Sequence, residues 1–315
     1  MVKPMLYAFA DEACREIDGQ ISAMLRNGLN GLEIRGVDGV NISRITGEKA
    51  KEVRKKLDDS GLITWSVGSP IGKIQIGDNF QTHLDVFRHT LEMADILGAK
   101  NLRLFSFYMP KNEDPGLYRQ LVTDRMGAFC DIAAGTGVTL CHENEKGIFG
   151  DTADRCLQLH QALPELKCIF DPANYVQCGN DTLQSWELLR QYVRYLHIKD
   201  ALSDGSVVPA GKGVGNVARI VKDYLALGGS ALTIEPHLKV FDGLKGLEAP
   251  GNTSIIGKRY TYPSSDTAFD AACDALKEIL PECKYTARRA IYAGGAERPQ
   301  QQGSPPACLK RSCDL

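Results

Sequence analysis

Eight short apolar stretches recur along this chain, each separated from the next by room for one helix. That rhythm restricts the fold more than any other feature. The stretches are residues 6–9, 31–35 (GLEIR), 62–69 (LITWSVGS), 101–107 (NLRLFSF), the run opening 138–147 (VTLCHENEKG), 166–174 (LKCIFDPAN), 193–200 (VRYLHIKD) and 231–237 (ALTIEPH). Helical signals lie between them. Asp11 is placed to cap a helix over 12–26, with Ile17, Ile21 and Leu25 on one face. A charged helix over 48–59 ends at Gly61, and Leu84, Phe87, Leu91 and Ala94 fall at helical spacing within 79–97. Further helices are expected over 117–134, then from Asp151 or Thr152 to Leu163, where Pro164 terminates it, and over 182–192, 217–227 and 267–280.

Short strands alternating with helices form parallel units, because a parallel pair needs a crossover. Eight such units predict an α/β fold, a closed (β/α)8 TIM barrel over residues 1–284; a doubly wound open sheet is the alternative. From residue 285 the character changes to a Gln run, Gly, Ser and a Pro pair without periodicity, which reads as a disordered tail over 285–315. The GKGVG segment, 211–215, has a superficial likeness to a phosphate loop. It does not follow a strand directly and lacks the full spacing, so it reads as a flexible loop before a helix.

Charge and cysteine usage remove several function classes. A net charge of −2 leaves no basic footprint for nucleic acid or a membrane surface. No apolar run approaches a membrane span, and the N-terminus meets Asp11 and Glu12 too early for a secretory signal, so a cytoplasmic location is expected. The ten cysteines include no C-x-x-C pair; Cys130, Cys141, Cys156, Cys168 and Cys178 sit in apolar stretches and read as small buried hydrophobes.

In such a barrel the site lies at the C-terminal ends of the strands. The fifth strand ends in four polar residues, His142, Glu143, Asn144 and Glu145, which have no reason to stand there unless they point into a site. Asp171, His197 and Glu235 break the next three apolar runs, CIFD, YLHI and LTIE. Singly each has an ordinary explanation: a core histidine, a turn former before Pro172, a strand end before Pro236. Together, Glu143, Asp171, His197 and Glu235 suit one divalent ion, Mn²⁺ first, with Mg²⁺, Co²⁺ or Zn²⁺ as alternatives. Three carboxylates brought together without a cation would raise one another's pKa. Glu145 competes with Glu143, since alternation puts both on one face. Glu143 is preferred because it adjoins the apolar strand, and Glu145 is left as a loop or substrate residue.

The set HENEKG, FDPANY, LHIKD and TIEPH, with GLEIR and SVGSPIGKI earlier, resembles the xylose-isomerase-like barrel superfamily of sugar isomerases, epimerases and endonuclease IV; the resemblance runs over 5–280. It implies one divalent ion on Glu143, Asp171, His197 and Glu235. In the tagatose/psicose epimerase branch the two matching glutamates also form an acid/base pair, which implies that role for Glu143 and Glu235. The expected activity is isomerisation or epimerisation of a sugar or sugar phosphate by proton transfer through a metal-stabilised enediolate. Lys199, His237, Asn174, Arg35 and Glu145 are the substrate-binding candidates. A metal-dependent dehydratase of an inosose-type polyol would use the same ion and expel a hydroxyl. A non-catalytic sugar-binding barrel would be expected to have lost some of the four ligands. An endonuclease IV-like enzyme would need a histidine-rich three-zinc cluster and a basic face. Here only His142, His197 and His237 lie near strand ends, while His83, His89 and His160 fall in helical segments. Relatives of this kind often form dimers or tetramers, so a homo-oligomer is compatible with the sequence.

Overall fold

The computed structural model describes residues 3–241, 256 and 259–280. The expected tail, 285–315, lies outside the described residues, as do residues 242–255, 257 and 258. Eight barrel strands are present: β1 Met5–Ala8, β2 Gly31–Ile34, β3 Ile63–Val67, β4 Asn101–Leu104, β5 Thr139–Glu143, β6 Lys167–Phe170, β7 Val193–Ile198 and β8 Ala231–Ile234. Each pairs in parallel with its neighbours in sequence. β1 closes on β8 in the register Met5↔Ala231 to Ala8↔Ile234. The closure excludes the open-sheet alternative and gives the expected TIM barrel.

The helices outside the barrel are α1 Ile17–Arg26, α2 Gly47–Asp59, α3 Phe80–Ile96, α4 Arg119–Ala133, α5 Ala153–Ala162, α6 Thr182–Leu189, α7 Val217–Ala226 and α8 Ser265–Ile279. A short helix, Pro172–Gln177, follows β6. Side chains of Thr46, Asn79, Thr152, Asp181 and Ser264 accept first-turn backbone N–H groups, so Thr152, and not Asp151, caps α5.

Two expectations near the N-terminus are corrected. Asp11 caps no long helix: it lies in a 3₁₀ turn, Ala10–Glu12, α1 starts at Ile17, and the Asp11 carboxylate pairs with Arg35 at 2.9 Å. Leu25 is 49% exposed, and Met24 completes the buried face with Ile17 and Ile21. At 100° per residue, Met24 returns to within about 20° of Ile17, whereas Leu25 lies about 80° away.

Strand alternation sorts the wall into two cores. Outward residues such as Leu6, Leu32, Leu102, Leu140, Leu196 and Leu232 pack in the large core beneath the helices. Inward residues Tyr7, Cys141, Ile169, Tyr195 and Ala231, with Trp65, form a small plug inside the barrel, where Tyr7 and Trp65 stack at 4.9 Å. Two residues beyond Cys141, Ile169 and Tyr195, on the same inward phase, stand Glu143, Asp171 and His197. Glu235 is four beyond Ala231.

The GKGVG segment is not a loose loop. The backbone N–H groups of Gly211, Gly213 and Gly215 donate to the carboxylate of buried Asp200 at 2.9, 3.0 and 2.9 Å. A Cβ at Gly213 would stand 2.3 Å from both the Ala201 carbonyl oxygen and Asp200 Oδ1, so the close wrap requires glycine there. Of the cysteines expected in the core, Cys130, Cys141, Cys156 and Cys168 are buried and Cys178 is half-buried; the described cysteines are all free thiols. Among the described residues no helix is long and apolar enough to cross a membrane.

Candidate active site

The four proposed ligands come from four successive strands. Glu143 is the last residue of β5, Asp171 directly follows β6, His197 lies near the end of β7, and Glu235 follows β8. All four are buried, and one donor atom from each lies within 4.8 Å of the others. Nδ1 of His197 is 2.9 Å from Oε1 of Glu143 and 3.7 Å from Oε2 of Glu235. Asp171 also serves the chain locally. Its Oδ1 accepts the N–H of Asn174 at 3.0 Å and caps the short helix that begins at Pro172, which leaves Oδ2 facing Lys199 at 2.8 Å. The turn-forming and site-forming readings of Asp171 are thus met by separate oxygens.

Buried cations stand among these carboxylates. Lys199 Nζ lies 2.8 Å from Asp171 Oδ2 and 2.7 Å from Glu235 Oε2. Arg103 Nη1 lies 3.0 Å from Glu143 and 3.9 Å from Glu235. Arg35 reaches Asp11 at 2.9 Å, Glu12 at 3.0 Å and Glu235 at 3.5 Å. Lys73 pairs with Glu145 at 3.1 Å.

Seven carboxylates, Asp11, Glu12, Glu33, Glu143, Glu145, Asp171 and Glu235, therefore share four lysine and arginine cations. The shortage of cations shows in the acidities of the group. Burial pushes the Asp171 carboxyl up to about 7 against the pull of Lys199. Burial disfavours a charged His197, but the Glu143 and Glu33 carboxylates outweigh it and lift the imidazole to about 10. Glu143 and Glu235 go the other way. Burial raises each, yet His197 and Arg103 hold Glu143 below the usual carboxylate range, and Lys199, His237 and His197 hold Glu235 well below it. Three carboxylates and an imidazole, converging and short of positive charge, fit a hard or borderline divalent cation. A second acidic group, Glu12, Glu235 and His237, already has the Arg35 guanidinium against it.

A family model described as xylose isomerase-like TIM barrel matches residues 21–237. The chain belongs to this family. Solved structures agree with the fold. One is the probable 3-DHS dehydratase AsbF involved in petrobactin synthesis from Bacillus anthracis. Its TM-score is 0.67 and its identity 16%, over 88% of this chain and 99% of that one. Another is the 3-keto-D-glucoside 4-epimerase YcjR from E. coli, in apo form, with a TM-score of 0.63 and 16% identity over 88% and 99%. A third, the IOLI protein with a binding zinc atom, has a TM-score of 0.66 and 11% identity over 88% and 97%. A comparison with curated protein sequences gave no significant match.

Within this xylose isomerase-like barrel the other sequence candidates separate. Lys199 is central. Asn174 Nδ2 donates to the Asn144 carbonyl at 2.8 Å and approaches Glu143 Oε1 at 3.4 Å. Arg35 sits at the edge of the cluster in its ion pairs. His237 holds a left-handed backbone, φ 45°, with its N–H donated to Glu12 at 2.7 Å. Glu145 is outside the group of four. Burial raises its carboxyl, but Lys73 and Lys199 bring it down to about 2. His142 does not point into the site: it takes the outward phase of β5, where Nε2 meets Ser106 Oγ at 3.0 Å and the ring approaches His160 of α5. Sequence reasoning missed Glu33, Arg103, Glu12 and Lys73. Glu33 and Arg103 carried a signal, a charged residue at an inward position of an apolar strand.

Proposed function

We propose that this protein is a divalent-metal-dependent isomerase or epimerase that moves a proton on a carbon adjacent to a sugar carbonyl. The observation that carries the reading is the convergence of Glu143, Asp171, His197 and Glu235 within 4.8 Å at four successive strand ends. These residues would hold the ion, Mn²⁺ first, with Mg²⁺, Co²⁺ or Zn²⁺ as alternatives. When bound, the ion would supply Lewis acidity to the carbonyl and neighbouring hydroxyl oxygens of the sugar.

The protein's own groups account for the proton. Glu143 and Glu235 leave strands with β6 and β7 between them, so they reach a bound sugar from different directions. Neighbouring cations hold both carboxyls below the usual carboxylate range, which favours the ionised form that accepts a proton. One removes the proton, and the other, once it has taken a proton from solvent, delivers that proton to the opposite face, which inverts the carbon; delivery to the adjacent carbon interconverts aldose and ketose. The Lys199 ammonium and Arg103 guanidinium counter negative charge on the substrate oxygen. Asn174, His237, Arg35 and Glu145 bind hydroxyls around the rim. A neutral sugar is favoured over a phosphorylated one, because carboxylates outnumber the lysine and arginine cations that face them around the site.

The test is a screen of ketoses, aldoses, their phosphates and inosose. Chelator-treated protein is assayed with and without Mn²⁺, and deuterium uptake from solvent is followed by NMR. The expected result is metal-dependent deuterium at the carbon beside the carbonyl. Full exchange by metal-free protein overturns the role of the ion, and a product lacking water moves the assignment to a dehydratase.

A further inference from the structure

We propose that Glu33 is the positioning residue for His197, fixing which ring nitrogen is turned toward the other three ligands. The inference rests on reading Glu143, Asp171, His197 and Glu235 as the metal-binding set. Glu33 is fully buried in β2 and is not one of the four. A carboxylate in such a place is costly unless its oxygens are satisfied. Here both are. Oε2 lies 3.1 Å from Nε2 of His197, and Oε1 accepts the Tyr195 hydroxyl at 2.9 Å and the Ser66 hydroxyl at 3.4 Å.

The contact crosses the barrel interior, since β2 and β7 are not neighbours in the sheet. An irregularity in the β2–β3 register between Leu32 and Glu33 sets Ser66, and not Trp65, opposite Glu33. That offset delivers the Ser66 hydroxyl to the carboxylate. Tyr195 and His197 stand two apart on β7, on one face, so a single strand presents both partners to Glu33.

A carboxylate only accepts, so Nε2 of His197 donates to Glu33, while Nδ1 faces Glu143 and Glu235 and would give up its own hydrogen to serve as a ligand. Turning the ring by 180° about its bond to Cβ would exchange Nδ1 for a carbon and remove the nitrogen from the cluster. Phe9, edge-on at 5.3 Å, limits the ring's tilt but does not distinguish nitrogen from carbon. Glu33 does. Arg103 and Lys199 offset charge on the carboxylate ligands, whereas Glu33 orients the imidazole and makes it a better donor.

The experiment titrates Mn²⁺ into chelator-treated full-length protein and reads free Mn²⁺ by electron paramagnetic resonance. The variants are Glu33→Ala, Glu33→Gln and Tyr195→Phe. Loss of a carboxylate partner behind a ligating histidine weakens metal binding about 10- to 100-fold, which is the expected change for Glu33→Ala. Glu33→Gln keeps an acceptor and falls between it and the wild type. Tyr195→Phe, which removes one of the two hydroxyls on Glu33 Oε1, shifts Kd in the same direction by a smaller factor. A purely structural role would lower the melting temperature of metal-free protein and leave Kd unmoved. Folded Glu33→Ala with the wild-type Kd overturns the proposal. If that variant does not fold, wild-type Kd values in Glu33→Gln and Tyr195→Phe overturn it. Wild-type protein that binds no Mn²⁺ defeats the metal reading itself, a separate outcome from wild-type binding that the variants share.

Discussion

Nζ of Lys199 lies 2.7 Å from Oε2 of Glu235, with both side chains almost wholly out of solvent. An ammonium thus already stands against one of the four oxygen and nitrogen donors, and it touches a second, Asp171, at 2.8 Å. A divalent ion drawn to the same oxygens competes with it.

Lys199→Met tests that competition. Removing one partner of a buried ion pair costs roughly 3–5 kcal/mol, because the other charge is left uncompensated. The metal-free variant should melt well below the wild type, and added Mn²⁺ should raise its melting temperature by more than it raises the wild type's. Scanning calorimetry with and without Mn²⁺ reads both. An equal metal-induced shift would show that the ammonium and the ion do not share the same oxygens.

Glu235→Gln keeps the shape of the side chain and removes its charge. If Glu235 carries a proton in the reaction, turnover should fall by about 10² to 10⁴-fold. Far-ultraviolet circular dichroism should be unchanged. Wild-type deuterium incorporation in this variant would remove Glu235 from the chemistry.

Asp200 anchors the loop that leads from β7 to α7. Asp200→Ala strands the N–H groups of Gly211, Gly213 and Gly215, and each hydrogen bond to a charged group contributes roughly 1.5–3 kcal/mol. Hydrogen exchange of these amides should accelerate far more than that of the barrel strands. Gly213→Ala should loosen the same loop, because its Cβ would meet Asp200 and the Ala201 carbonyl. Unchanged exchange in both variants would refute the anchoring role.

His160 predicts an acid-sensitive step away from the site. Burial pushes its imidazole down to about 4, with Nδ1 held 3.2 Å from the Leu166 carbonyl oxygen. The unfolded chain takes up this proton near pH 6.5 and the folded chain only near pH 4. Stability is therefore intact above pH 6.5 and declines as pH falls toward 4, by about 3 kcal/mol from this residue at most. Urea unfolding of wild type and His160→Leu at pH 7 and pH 4.5 reads it. The advantage of the wild type should shrink at the lower pH, and a constant difference would contradict the assignment.

The barrel was legible because a parallel strand buried on both faces is a near-continuous apolar run, and Glu143, Asp171, His197 and Glu235 interrupt such runs at their ends. Inward phase was legible too: Cys141 and Glu143, Ile169 and Asp171, and Tyr195 and His197 are each two apart. Glu33 and Arg103 obey the same phase deeper in the barrel, where attention to strand ends passes over them. Asp11 shows a different limit. Its position before a helical stretch satisfies a local capping rule, but the buried Arg35 guanidinium, from the next strand, makes the stronger claim on its carboxylate. Lys73 lies in a loop, and no local pattern fixes its distance from Glu145. His142 fails for a simpler reason: its polarity suggested the site, while its parity put it outside the barrel wall.

The seam where β1 meets β8 has a consequence for assembly. The His237 N–H reaches the Glu12 carboxylate across 225 residues of chain, and Arg35 clamps Glu12 and Glu235 from the same side. Glu235 meets the Arg35 guanidinium only when the first and last strands pair. The four ligands themselves leave β5 to β8, contiguous paired strands on one side of the seam, so opening it would take Arg35 from Glu235 and leave the donor set on its strands. The seam therefore governs the positive charge that stands beside Glu235, and not its place among the ligands.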